Sequence, residues 1–166
     1  NTVVRVVREP GTGRVSVTNV DVGALTSVGS TISELRLSRD GVRAAMIIDG
    51  EVYLAVVVRT ASGVYALTSP RAVASGLGST ALSLDWSNSD TIVIARSGAD
   101  IPVVQVAIDG SRMDALPSGN LTAPVTSVDA SPTTEYVADA RAVFQLNNND
   151  PAGDRRWREV TVLTGQ

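Results

Sequence analysis

Cysteine, histidine and lysine are all missing from the 166 residues, so every one of the 14 basic side chains is arginine. Each absence removes a class of chemistry. Without cysteine or histidine the chain has no thiol nucleophile, no Ser-His-Asp triad, no cysteine zinc site and no imidazole base. Without lysine it has neither a Schiff-base amine nor the lysine of a phosphate-binding loop. Aromatic residues make up only 4%, which argues against sugar-stacking platforms. Charge is balanced, with a net −3, and the isoelectric point is about 4.9. A nucleic-acid footprint needs a clustered basic surface, so nucleic acid is not an expected partner. Long apolar runs are absent too: the longest, 54–58, cannot span a bilayer. The opening NTVVRVVREPGTG lacks the pattern of a signal peptide, so any export or anchoring signal is expected outside this chain.

What is present is a repeat. ISELRLSRDGVRAAMII (32–48), ALSLDWSNSDTIVIA (81–95) and VTSVDASPTTEYVA (125–138) place Ser38, Ser87 and Ser131 in register, 49 and 44 residues apart. Repeats of about 40 to 50 residues holding several strands are the sequence form of β-propeller blades. Turn punctuation and β-branched enrichment give strands over 2–7 and 14–20. Three four-strand units follow: 32–37, 42–48, 51–58 and 63–67; 82–86, 91–95, 103–108 and 111–116; and 125–130, 135–138, 141–146 and 157–163. Asp49-Gly50 is suited to the positive φ angles of a tight hairpin, and Asp109-Gly110 is expected to turn the second unit's last hairpin.

The fold class expected is therefore all-β: a partial β-propeller of about three and a half antiparallel four-stranded blades, a fragment of one propeller domain over 1–166. The approximate blades are 1–30 (partial), 31–78, 79–123 and 124–166. Consecutive apolar positions in LAVVV and AAMII call for sheets covered on both faces, which stacked blades supply. A β-sandwich is the alternative, and it does not predict the repeated serine segment. Blades at the ends of such a fragment are expected to leave apolar faces uncovered, favouring self-association or pairing with the remainder of the same propeller.

The stretch ISELRLSRDGVRAAMIIDGEVYLAVV and the later LDWSNSDTIVI resemble the C-terminal propeller region of the LpqB family of actinobacterial lipoproteins, SRDGVRAA and DWSNSDTI being the most specific parts. The resemblance covers about residues 1–166. It implies a membrane-anchored, extracytoplasmic lipoprotein, with a lipidated N-terminus and a GerMN domain preceding the propeller. Neither the lipidated cysteine nor that domain lies in this chain, so the membrane is reached only through an anchor outside it. The resemblance also implies that the protein is an accessory of the Mtr two-component system, engaging the extracytoplasmic domain of the sensor histidine kinase and modulating its signalling.

Candidate sites follow. Arg155, Arg156, Trp157 and Arg158 form the densest charged patch and include one of two tryptophans, a composition found at binding hot spots. The competing reading is a solvated loop with Trp157 packed on a blade face. The loop 147–154 offers oxygen ligands from Asn147, Asn148, Asn149, Asp150 and Asp154 but lacks the ordered spacing of a Ca²⁺ loop. Asp85 and Asp129 occupy the same repeat position, two residues before Ser87 and Ser131. They read as carboxylates that bond turn amides or line a channel; as a glycosidase pair they would need a separation of about 5–9.5 Å. The three serines read as turn-shaping hydroxyls. Arg39 and Arg43 read as surface residues, and Asn120-Leu121-Thr122 as a chance glycosylation tripeptide. No catalytic residue, metal site or cofactor is assigned. The leading function is a non-catalytic propeller that binds a protein partner outside the membrane. The alternatives are a carbohydrate-binding or Asp/Glu-dependent hydrolytic propeller acting on cell-wall polymers, and a purely structural half-propeller.

Overall fold

The computed structural model describes residues 2–73, 77–98, 100–121 and 124–162. Its fourteen strands form four antiparallel sheets. A hairpin, β1 (Val3–Arg8) with β2 (Val15–Val20), comes first, and three four-stranded meanders follow. The first meander is β3 (Ile32–Leu37), β4 (Arg43–Ile48), β5 (Glu51–Arg59) and β6 (Tyr65–Ala72). The second is β7 (Ala81–Trp86), β8 (Thr91–Arg96), β9 (Val103–Ala107) and β10 (Met113–Ala115). The third is β11 (Ser127–Ala130), β12 (Thr134–Ala138), β13 (Ala142–Asn147) and β14 (Arg158–Val162). Successive sheets meet through their first strands: β3 hydrogen-bonds β7, and β7 hydrogen-bonds β11. This is the arrangement of a partial β-propeller, with β3, β7 and β11 innermost.

Burial explains the strand composition. Ala44 to Ile48 on β4 and Ile92 to Ala95 on β8 are buried at every position, because each strand is the second in its blade and is covered on both faces. One core lies between the first two sheets (Ile47, Leu54, Leu84, Trp86, Ile94, Val106) and another between the second and third (Val93, Val103, Val128, Val137, Phe144, Leu146, Trp157). Each fully buried side chain of this kind stabilises the fold by about 1.5–3 kcal/mol. A third core, with Ala44, Met46, Ile48 and Leu67, sits on the opposite face of the first sheet. It is covered by Leu25, Val22 and Val28 around a short 3₁₀ helix, Gly23–Ser27. The segment is anchored where Asp21 bridges β6: its amide donates to Tyr65 O (2.8 Å) and its carbonyl accepts from Leu67 N (2.9 Å).

Four details depart from expectation. β6 does not stop at Leu67 but continues to Ala72, through a register shift against β5, a positive φ at Ser69 and Pro70. As the outermost strand it has no neighbour needing the missing proline N–H, so a bulge carries it past the breaker. Asp49-Gly50 forms the expected tight hairpin with φ of 51° and 85°. Asp109-Gly110 instead closes a longer loop in which only Gly110 has positive φ (75°), its amide donating to Ala107 O. The last strand begins at Arg158, one residue after Trp157, and its expected end at Leu163 lies outside the described residues, as does Thr122 of the glycosylation tripeptide. Finally, the face of the third sheet that turns away from the second is not the bare apolar surface expected. Asp129, Tyr136, Gln145 and Arg158 lie side by side across its four strands.

Candidate functional site

The inner strands put polar side chains at equivalent positions along one seam. Glu34 Oε2 accepts the amide of Leu84 (3.0 Å), and the carbonyl of Arg36 accepts the indole Nε1–H of Trp86 (3.1 Å). One blade on, Ser83 Oγ accepts the amide of Val128 (3.2 Å) and Asp85 Oδ2 that of Ala130 (2.8 Å). Asp85 does bond a backbone amide, as a repeated structural carboxylate should, but the amide belongs to the next blade and not to its own turn. Asp85 also lies beside Asp129 of the neighbouring inner strand and hydrogen-bonds its carboxyl. Partial burial, then the charge of Asp85 and that shared bond, push the Asp129 carboxyl above its usual range, against the pull of Arg36 and Arg39. Glu34 is paired with Arg36 at 2.9 Å.

The three repeat serines separate. Ser38 donates to Asp40 Oδ1 (2.5 Å) and accepts the amide of Arg43 (3.0 Å), and Ser131 accepts the amide of Thr134 (3.0 Å). Both shape the bend into the second strand of their own blade. Ser38 is the chief reason the exposed Asp40 carboxyl is held below the ordinary range. Ser87 instead reaches out of its blade, 3.4 Å from Glu135 Oε1. Arg39 is exposed, while Arg43, expected on the surface, is half-buried: it pairs with Asp40 (3.2 Å) and Asp90 (3.6 Å) and lies 5.8 Å from the Trp86 ring centre.

Glu135 is the polar centre of the second inter-blade core. It is fully buried, and its Oε1 accepts from Gln105 Nε2 of β9 and Asn148 Nδ2 (3.2 Å). Arg155 binds Asn148 Oδ1 (2.6 Å), while Glu135 Oε2 and Arg155 Nε have no protein partner. Burial pushes the Glu135 carboxyl up, and Asn148, Gln105, Arg155 and Ser87 pull it back. The sequence reading missed this group: Glu135 is a single acid in a strand of mixed composition, and its partners lie 13, 30 and 48 residues away.

The four residues of the expected partner patch do not share a surface. Trp157 is fully buried, its Nε1–H donating to Pro117 O (2.5 Å) and its carbonyl accepting from Asn120 Nδ2 (2.6 Å). Arg155 is half-buried against Asn148, and Arg156 and Arg158 are exposed. Arg158 pairs with Asp150 at 2.8 Å. What a partner would meet is therefore Arg156 and Arg158 at the start of β14, an outermost strand exposed at every residue. The oxygen-rich loop 147–154 spends its side chains internally: Asn147 Oδ1 accepts the amide of Asn149 (2.9 Å), Asn148 joins the Glu135 group, and Asp150 pairs with Arg158. Among the described residues no group of three or more acidic side chains converges as a metal site, and no helix is long and apolar enough to cross a membrane.

Comparison with known proteins supplies the context of this geometry. Residues 1–166 match the family model of the lipoprotein LpqB beta-propeller domain. Lipoprotein LpqB of Rhodococcus opacus is 77% identical over 99% of this chain, and that of Nocardia farcinica 47% over 98%. In each case the match takes in 28% of the relative, so the chain spans little more than a quarter of the length of these curated relatives. A solved structure titled "KlHsv2 with loop 6CD replaced by a Gly-Ser linker" is similar at a TM-score of 0.50 and 11% identity, over 90% of this chain and 51% of that one. That likeness speaks to fold alone.

Proposed function

The chain belongs to the LpqB lipoprotein β-propeller family, and on that premise we propose that it is a non-catalytic, extracytoplasmic binding module. Its partner in this reading is the extracytoplasmic domain of a sensor histidine kinase, whose signalling it modulates while anchored to the membrane through a lipidated segment outside residues 1–166. Family membership across the whole chain is the observation that carries the reading. Two features support it. The thiol nucleophile, the imidazole base and the lysine amine are absent from the sequence. The exposed edge strand β14, led by Arg156 and Arg158, offers both unpaired backbone and weakly hydrated cations to a protein partner. The hydrolytic alternative loses support at Asp85, whose Oδ2 is taken up by the backbone amide of Ala130 in the next blade.

Calorimetric titration of the kinase domain with this chain tests the proposal. Saturable binding is expected, weakened about tenfold by Arg156→Ala with Arg158→Ala, as for loss of two rim cations worth about 1.4 kcal/mol together. Absence of binding by both this chain and a full-length relative, with both folded, would remove the kinase reading.

A further inference from the structure

We propose that Ser127 and Asp129 are a docking site for the inner strand of a further propeller blade, each accepting one of two alternate backbone amides. The inference rests on the fold and not on the kinase partner. The inner strand of the second blade carries Ser83-Leu84-Asp85, and that of the third carries Ser127-Val128-Asp129, the same Ser-x-Asp in the same register relative to Ser87 and Ser131. In the second blade both acceptors are occupied by the next strand: Ser83 Oγ takes the amide of Val128 at 3.2 Å and Asp85 Oδ2 that of Ala130 at 2.8 Å. These amides are two residues apart, the spacing at which a strand's N–H groups point to the same side. Glu34 receiving the Leu84 amide places an acceptor at the Ser83 position in the first blade as well. The seam therefore works in one direction, side chain of one inner strand to backbone of the next. At β11 it stops, with Ser127 and Asp129 in the acceptor positions, Asp129 also hydrogen-bonded to Asp85 behind it, and no strand beside them among the described residues. Ser83 is buried by its neighbour, whereas Ser127 and Asp129 are exposed.

The occupant is a blade contributed by the longer chain of the family, not a second copy of this one. In a second copy the amides of β7 and β11 are already bonded within its own seam, and the segment around Leu25 packs on its first sheet, with Arg5 of the β1–β2 hairpin stacked on Tyr65 at 4.7 Å. Three four-stranded sheets fall short of the 4 to 8 blades of a closed ring, and the curated relatives are more than three times as long as the matched segment. The row Asp129, Tyr136, Gln145 and Arg158 makes this a more polar blade contact than the two already formed.

Because the chain has no cysteine, Ser127→Cys places a single thiol at the site. Its maleimide reactivity is compared in the isolated chain and in Rhodococcus opacus LpqB carrying this chain's sequence in place of the 165 residues it matches, with that protein's own cysteines changed to serine. Reaction at least ten times slower in the longer protein is expected, while Ser89→Cys, in an exposed turn, reacts alike in both. Equal reactivity of Ser127→Cys in the two would overturn the proposal. So would protection that appears in the isolated chain as its concentration rises, since a second copy would then be the occupant. In the longer protein, Ser127→Ala with Asp129→Leu should speed hydrogen exchange at two alternate amides of one strand outside the matched segment and leave Val128 and Ala130 unchanged; no such change would also overturn it.

Discussion

The two contacts between blades use one geometry and different chemistry. Between the first and second sheets the core is apolar, with Ile47, Leu54, Leu84, Trp86 and Val106, and the buried charge Arg96 beside it is satisfied by backbone. Arg96 donates to Leu77 O (2.5 Å) and Ile101 O (2.6 and 3.2 Å) and so holds the chain on either side of β7 and β8. Between the second and third sheets an apolar core of the same kind, centred on Phe144 and Trp157, admits the Glu135 group. A buried carboxyl with one orphaned oxygen makes the second contact responsive to pH.

The largest effects would test whether the two cores are equivalent. Trp86→Ala and Trp157→Ala each delete a buried indole and its hydrogen bond, and each should cost about 3–5 kcal/mol in urea unfolding. Similar losses would make the contacts equal partners in one cooperative unit; a probe-dependent transition in Trp157→Ala alone would show that the third blade unfolds separately. Next is Arg96→Ala, expected to cost about 2–3 kcal/mol because buried carbonyls lose their donors.

The pH dependence sharpens the comparison directly. Glu135 holds its proton to higher pH in the folded protein than in the unfolded chain. Its contribution is therefore fully present below the unfolded glutamate value and is lost as pH rises through the folded one. Glu135→Gln removes that decline, so as pH rises from the ordinary glutamate range to neutrality the variant should gain stability relative to the parent. A constant difference across that range would show that the carboxyl is not protonated when buried. Asp40 and Asp109 are held low, chiefly by Ser38 and Ser111, and act in the opposite sense, their contribution lost as pH falls. Gly50→Ala should cost about 1–2 kcal/mol, since φ is 85° and the new Cβ would meet Thr80 Cγ2 at 2.7 Å. The smallest effect is expected of Arg156→Ala, within about 0.5 kcal/mol in stability, so that any loss of partner affinity reports on the surface alone.

Much of the fold could be read along the chain. Strand starts agreed closely because Asp49-Gly50 and the serine-led turns are local chemistry, and β4 announced its double burial by five consecutive apolar residues. Ser69-Pro70 misled for the same reason: its local signal is a breaker, and only its place on an outermost strand lets β6 continue. The candidate site was less legible. Arg155 to Arg158 look alike as a charged run, yet Trp157 turns inward because the third blade's core has space for an indole and Pro117 supplies its acceptor. The Ser-x-Asp pair was visible at 83–85 and 127–129, but its meaning needs the neighbouring strand that its oxygens face.

By itself the sequence determined the all-β class and the tight Asp49-Gly50 turn, which depend on residues within a few positions of one another, and the blade period, which shows as the recurrence of one such local pattern 49 and 44 residues on. The tertiary structure alone decided which polar groups cross from blade to blade. Ser87 turned to Glu135, Glu34 to Leu84 and Asp85 to Ala130 are contacts over 45 to 50 residues. Pairings at that distance are fixed by how twisted sheets stack, and no local propensity encodes them.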